Sequence, residues 1–347
     1  MKNYLLFDDP SWDHLLPLTF TRPTCELRVG VMTLRERWEL LLGVTMGHIT
    51  QDYLSELYPS VIGDDNVIIN GNVVANSYIA KLISELDPQE ALIYQDDLIA
   101  ARLSEEQFEK LVRSGEIDEL KGVDLQDTPV VQIKHPYDLW KLNATAIQED
   151  MTYLPLYDSR ALPDHCIHIG SGQLYIHPTA KVYASTFNTS DGPIYIGEGV
   201  EVQEGCNIRG PFAVGAHSIV KMQTRINGDV SIGPHCRVAG EISRSVILGY
   251  SNKGHDGYLG NSVIGAWCNL GADTNTSNLK NNYNDIKMYN YAARGFESTD
   301  SIFGGVIMGD HTKCSINTMI NSGSSFGVGC TLFEGGFPPK VLPSFSW

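Results

Sequence analysis

Between Glu241 and Asn278 the chain gathers a carboxylate (Glu241), a histidine on a glycine-flanked loop (His255), a phenol (Tyr258) and two carboxamides (Asn269 and Asn278). Histidine titrates near neutral pH and is the usual general base, and a carboxylate beside it can orient the ring. Such a set suits removal of a proton from an attacking amine. On composition alone, however, His255 reads better as a solvated loop histidine. What decides between the two is the element that carries these side chains.

That element announces itself by period. Ile196, Val202, Ile208, Val214, Val220, Ile226, Ile232 and Val238 stand six residues apart. Six does not hold one face of a 3.6-residue helix. It suits a coil of three short parallel strands, eighteen residues per turn, with one inward apolar residue per strand. The residue two before each is mostly small (Val200, Cys206, Ser218, Thr224, Val230, Cys236), with Phe212 the exception. Arg225 lies one such coil before Ser243, so it should stack on the same side as the Glu241 region. The hexad breaks after Val238. Gly249–Leu259 reads as a polar, glycine-rich excursion from the coil, Ile264 and Leu270 resume the six-step, and 275–291 breaks it again. Excursions from a regular scaffold are where function tends to sit.

The remainder of the chain sets bounds. Its 347 residues are enough for two domains. A formal charge of −16 argues against nonspecific nucleic-acid binding, so a phosphorylated substrate must be held by a few placed cations. Seven scattered cysteines without CxxC spacing suggest reduced, buried thiols. No signal peptide or membrane-length apolar run is evident, and a cytoplasmic protein is expected. The solenoid histidines offer no close pair with a third, so a zinc site is not expected. Residues 1–150 alternate strand-like segments (Tyr4–Phe7, Asn66–Asn70, Ala91–Tyr94, Leu98–Ala101) with helix-like ones (Leu34–Leu42, Tyr78–Leu86, Ser104–Arg113). This predicts an α/β layer with a mostly parallel sheet. A linker follows over 151–166, rich in Asp, Pro and aromatics at Tyr153–Pro163, and the solenoid occupies 167–347.

The stretch from Glu241 through Lys253, His255-Asp256-Gly257-Tyr258-Leu259-Gly260 and Asn269-Leu270-Gly271-Ala272 resembles the acetyltransferase half of a known enzyme family. This is the bifunctional N-acetylglucosamine-1-phosphate uridylyltransferase/glucosamine-1-phosphate acetyltransferase family. The endings GDHTKCSINT and FPPKVLPSFSW resemble its divergent Bacteroidetes-type branch along essentially the whole chain. The resemblance implies a nucleotidyltransferase-like α/β domain followed by a left-handed parallel β-helix, assembled as a homotrimer with sites between subunits. It further implies acetyl-CoA as co-substrate and His255 as general base, with Glu241 nearby. Arg225 then holds the sugar phosphate, Tyr258 and Asn269 hold the sugar, and Ala272 and Asn278 lie along the CoA. The chain departs from the family at Ser243, where a lysine is usual, with Arg244 adjacent. It departs again at Asn278-Leu279-Lys280-Asn281, where Asn-Tyr-Asp-Gly is usual, and in an insert reaching about Phe303.

Leu15-Leu16-Pro17-Leu18-Thr19 with Arg22-Pro23 resembles the start of sugar-1-phosphate nucleotidyltransferases. The glycine-rich phosphate loop is replaced by Leu6-Phe7-Asp8-Asp9-Pro10, and the usual lysine by Thr24. Arg22 and Arg28 are the available cations for a nucleoside triphosphate. Asn70-Gly71-Asn72 stands where a magnesium-binding Gly-Asp is expected, and amides are weaker Mg²⁺ ligands than carboxylates. Two readings compete for this domain: a Mg²⁺-dependent nucleotidyltransferase, or a fold that binds sugar nucleotide without turnover. For the whole chain the alternatives to acetyl transfer are nucleotidyl transfer only, or a non-catalytic trimeric scaffold.

Overall fold

The structure, a computed structural model, describes residues 2–114, 120–126, 128–156, 158–334 and 336–347. They divide into two units: 1–12, 21–27 and 32–134 in the first, and 13–20, 28–31 and 135–347 in the second. Among the described residues no helix is long and apolar enough to cross a membrane.

The first unit is a six-stranded sheet with helices. In spatial order the strands are Gly47–Ile49, Asn3–Phe7, Asp65–Asn70, Asp97–Ser104, Glu90–Tyr94 and Lys121–Asp124. The sheet is mostly parallel, as expected: among the described strands five share one direction, and Asp97–Ser104 alone runs antiparallel to its neighbours. The cause is local. Gln95 and Asp96 both take positive φ (50° and 70°), the geometry of a two-residue hairpin turn, so the chain reverses without a crossover. The helices begin where capping chemistry permits. Thr33 and Glu36 form a reciprocal capping box for Leu34–Leu42, and left-handed Gly43 ends that helix. Ser104 and Gln107 exchange the equivalent bonds ahead of Glu105–Ser114.

In the second unit the hexad winds three sheets of parallel strands into a solenoid of the left-handed β-helix type. Face one carries Thr186–Asn188, Asn207–Arg209, Arg225–Asn227, Glu241–Ser243 and Tyr258–Gly260. Among the described residues face two has nine strands and face three has eight. All eight hexad residues point inward and are buried together with Val200, Cys206, Phe212, Val230 and Cys236. The small corner positions have a polar use as well. Ser218 Oγ donates to Gly233 O and accepts from Cys236 N, tying one coil to the next, and Ser251 and Thr312 repeat the pattern further along. At the face-two to face-three corner, His217, His235, Tyr250, Trp267 and His311 form a ring-on-ring column with centroids 4.7–6.1 Å apart. Each sits at positive φ in the corner turn.

The hexad breaks for two different reasons. After Val238 the coil shortens: Ile208 pairs with Ile226, eighteen residues on, but Ile226 pairs with Ile242, sixteen on. Gly249–Leu259 therefore stays in the coil, with Asn252–Lys253 on face three and Tyr258 on face one. The long excursion lies later, between Asn275–Thr276 and Val306–Met308, and holds an antiparallel hairpin of Lys287–Asn290 with Gly295–Ser298.

The helix Asp138–Tyr153 lies against face two, where Ile147 and Met151 pack with Tyr175 and Ala213. Asn143 accepts from Gly30 N and Ser231 Oγ and donates to Asp229 O. Gly30 must be glycine: its φ is +79°, and a Cβ there would meet Asp150 Oδ2 at 2.3 Å. Beyond this helix, Arg160 N donates to Ile176 O and its guanidinium to Ala180 O, so the connecting stretch pads the first coil. Tyr157, within the expected connector, lies outside the described residues.

Ile226 is a mid-stack residue, 3% exposed. Ile226→Ala should lower stability by about 2–5 kcal/mol, read from the denaturant midpoint. Arg237→Ala, an exposed change, should shift it by less than about 0.5 kcal/mol.

Candidate functional site

In the first unit the expected nucleotide residues form a closed polar network. Asp9 Oδ2 accepts from the side-chain amides of Asn70 and Asn72, both at 3.0 Å, while Asp9 Oδ1 accepts from Ser11 N and Oγ. Asn70 Oδ1 accepts from Asn72 N, and Asn72 Oδ1 from Gln132. Asp8 accepts from Thr24 N and Thr50 Oγ1, and its burial raises its carboxyl above the ordinary range. Mg²⁺ needs free oxygen donors, preferably carboxylates. Here both amide oxygens and the neighbouring carboxylate already accept hydrogen bonds, so the Asn70–Asn72 turn does not fit the ion. Arg22 is half-buried in this unit, with Nη2 3.4 Å from Thr21 Oγ1. Arg28 belongs to the second unit, where it is buried and donates to Val31 O.

In the second unit, parallel register converts sequence spacing into a column. Asn207, Arg225, Glu241 and Tyr258 are successive partners on face one, all outside the apolar core. Arg225 Nε lies 3.7 Å from Glu241 Oε2, a loose and half-exposed pair. Glu241 thus faces Arg225 rather than orienting His255. Tyr258 is fixed at both ends: its N–H donates to Asn275 Oδ1 (2.8 Å), and its hydroxyl accepts from Asn278 Nδ2 (3.0 Å). Burial, then the Glu241 charge, holds the Tyr258 phenol above its usual pKa, so it remains a donor at neutral pH. Asn278 also donates to Asn261 Oδ1.

Two clefts flank the column. One, of about 440 Å³, is lined by Asn207, Arg225 and Glu241. The other, of about 510 Å³, is lined by Tyr258, Asn278 and Arg244 and shares Arg209 and Asn227 with the first. Arg244, beside the lysine-to-serine departure, pairs with Asp229 at 3.5 Å in this second cleft.

His255 stands exposed on the face-three to face-one corner that leads into Tyr258. Among the described residues its ring makes no hydrogen bond or ion pair. Its backbone, by contrast, is held firmly. Lys221 Nζ donates to Gly254 O (2.8 Å) and Lys253 Nζ to His255 O (2.9 Å). Gly257 closes the turn at φ +119°, where a Cβ would meet Thr274 O at 2.2 Å. The ring projects freely from an anchored loop, which leaves its nitrogens available to a ligand.

The other expected residues are spread out. Ala272 lies at the same corner one coil on, next to Asp273, whose N–H donates to Asp256 O. Asn269 is on face three, paired with Asn252, and does not join the column of its own chain. The thiols take no part. Burial pushes Cys236, Cys268 and Cys314 up to about 12, which keeps them protonated.

Lys253 has a larger place than the sequence suggested. It occupies an inward core position, 2% exposed, stacked on Val238. Its ammonium is satisfied by Ala239 O (3.1 Å) and His255 O, and burial lowers its pKa to about 8. Sequence distance also hid a grouping of His14, His135 and Glu297, whose ligand atoms lie within 4.8 Å of one another. Asn290 Nδ2 donates to both His14 Nδ1 and Glu297 Oε2, while its Oδ1 accepts from Ala292 and Ala293 N–H. The amide orientation is therefore set, and its Nδ2 bridges His14 and Glu297.

Comparison with known proteins finds one family model and several relatives. Residues 4–156 match the family model described as sugar nucleotidyl transferase. The protein named bifunctional protein GlmU from Methanocaldococcus jannaschii is 34% identical over 90 residues, 26% of this chain and 21% of that protein. Its namesake from Synechococcus elongatus is 24% identical over 191 residues, 52% of this chain and 37% of that protein. The one from Gloeothece citriformis is 27% identical over 148 residues, 42% and 26% respectively. The matched stretches thus span well under two thirds of these relatives.

The buried lysine makes a signed prediction. A lysine with a folded pKa of about 8 and an ordinary value of 10.5 binds fewer protons in the folded state between those limits. Stability should therefore rise as pH increases from about 8 to 10.5, by on the order of 3 kcal/mol for this group. Lys253→Met should lack that rise and speed amide exchange at Gly254–Gly257. Superimposable pH profiles for the two proteins would contradict the assignment.

Proposed function

We propose that the chain, similar over part of its length to proteins named bifunctional protein GlmU, is a transferase of sugar 1-phosphates whose solenoid N-acetylates glucosamine 1-phosphate with acetyl-CoA. The observation that carries this reading is the outward column of Arg225, Glu241 and Tyr258, ending at the corner that holds His255. A loosely paired arginine can turn to a sugar phosphate. A phenol that stays protonated donates to a sugar oxygen, and a free imidazole on an anchored loop can take a proton.

In the proposed reaction His255 removes the proton from the amine of glucosamine 1-phosphate as its lone pair attacks the thioester carbonyl. The C–N bond forms, the C–S bond breaks, and coenzyme A leaves as the thiol once a proton is returned to sulfur. Glu241 acts on this account through Arg225, holding it on the phosphate side of the column. Ala272 and Asn278 lie along the CoA. Asn269, remote from the column of its own chain, reaches a sugar only from a neighbouring copy. A homotrimer with sites between subunits supplies that neighbour.

For the first unit, the match of residues 4–156 to sugar nucleotidyl transferases supports binding of a sugar nucleotide or nucleoside triphosphate. No metal-dependent step is derived there, because the donor set does not fit Mg²⁺. The chemistry proposed for the solenoid needs neither metal nor redox cofactor. A cytoplasmic setting suits its substrates.

Thiol release from acetyl-CoA with glucosamine 1-phosphate, measured without added metal, tests the reading. His255→Ala should reduce turnover by ~10²–10⁴ while circular dichroism stays unchanged. Full turnover in that variant, or none in the wild type, would overturn it.

A further inference from the structure

Further along the solenoid from the cleft that holds Tyr258 lies an open pocket of about 410 Å³. Two lysines, Lys280 and Lys340, line it together with Asn281, Asn282, Asn321 and Ser322, and no carboxylate does. In a chain with 41 acidic and 25 basic residues, an acid-free pocket with two cations is unusual. Three arginines of this solenoid meet acids: Arg209 meets Asp191, Arg225 meets Glu241 and Arg244 meets Asp229. Among the described residues these two lysines form no such pair.

Lys280 Nζ donates to the backbone oxygen of Asp285 (2.9 Å), which fixes its position without neutralising it. The Lys340 ammonium has no hydrogen-bond or ion-pair partner among the described residues, while its backbone oxygen accepts from Ser325 N. Partial burial, then the charge of Lys280, lowers the Lys340 pKa. Two like charges held near one another without a counter-ion destabilise the protein unless an anion joins them. The surrounding carboxamides and hydroxyl supply N–H and O–H donors for the oxygens of that anion.

We infer that the Lys280–Lys340 pocket is a binding site for a phosphate group, of a monoester or a diphosphate. Lysines hold phosphate as point charges and need no bidentate geometry, which suits a pocket lined by flexible ammonium and amide groups. The site adjoins the candidate acyl-transfer cleft through one stretch of chain. Ser277 and Leu279 line this pocket, while Asn278 between them bonds to the Tyr258 hydroxyl. The sequence departure at Asn278-Leu279-Lys280-Asn281 thereby gains a function: it contributes a cation. The inference concerns phosphate binding alone and stands whether or not acetyl transfer occurs.

Calorimetric titration of the full chain with inorganic pyrophosphate, at low and at 0.3 M salt, tests it. Lys280→Met and Lys340→Met should each weaken binding about tenfold, the pair about a hundredfold, with salt reducing wild-type affinity most. Lys340→Arg should retain binding, and unchanged melting temperatures exclude misfolding as the cause. Competition by glucosamine 1-phosphate or by coenzyme A would identify the source of the phosphate, and either supports the site. Pyrophosphate affinity unchanged in the double variant, or no saturable binding by the wild type, would overturn it.

Discussion

Parallel hydrogen bonding between successive coils is the constraint on which the rest of the second unit depends. Each strand of a face must find its backbone partners in the coil before and after it, because a buried N–H or C=O left unpaired is expensive. That requirement fixes register, and register fixes which side chains stand above one another. Arg225, Glu241 and Tyr258 form a column because Ile226, Ile242 and Leu259 must do so inside. Inward apolar stacking and outward chemistry are two sides of one alignment.

The same constraint explains the buried lysine. When the coil shortens after Val238, face three still needs an inward residue, and Lys253 fills it. An ammonium in an apolar stack is tolerated only if its protons find acceptors. It finds them in the carbonyls of Ala239 and His255, at the corner where the shortened coil turns. A residue poorly suited to the core thereby becomes the anchor for the corner that presents the histidine. Lys221, two coils earlier, adds a second anchor at Gly254.

Much of this was legible beforehand, in proportion to how strictly physics ties residue type to position. The hexad from Ile196 to Val238 leaves one arrangement for its inward residues, and they are buried as the period requires. The stacking of Arg225 on the Glu241 region follows from the same period. Phase was lost where the coil shortened, which is why Gly249–Leu259 reads as an excursion although it remains in register. The inward position of Lys253 was hidden for the same reason, since a lysine offers no apolar signal. In the first unit the alternation of elements and the mostly parallel sheet were readable, but the one reversed strand was not. It hinges on Gln95 and Asp96 taking left-handed conformations, which neither residue type dictates. The partner of Glu241 was also misjudged: opposite charge on an adjacent strand is the nearer attraction, so it faces Arg225 rather than His255.

The central claim is that the outward column on face one, with its anchored histidine corner, is where a sugar phosphate binds. The most direct measurement is the crystal structure of the chain grown with glucosamine 1-phosphate. The account predicts the phosphate against Arg225, a sugar oxygen at the Tyr258 hydroxyl, and the amine turned toward the His255 ring. Sugar density elsewhere on the molecule, with the column empty at saturating ligand, would contradict it.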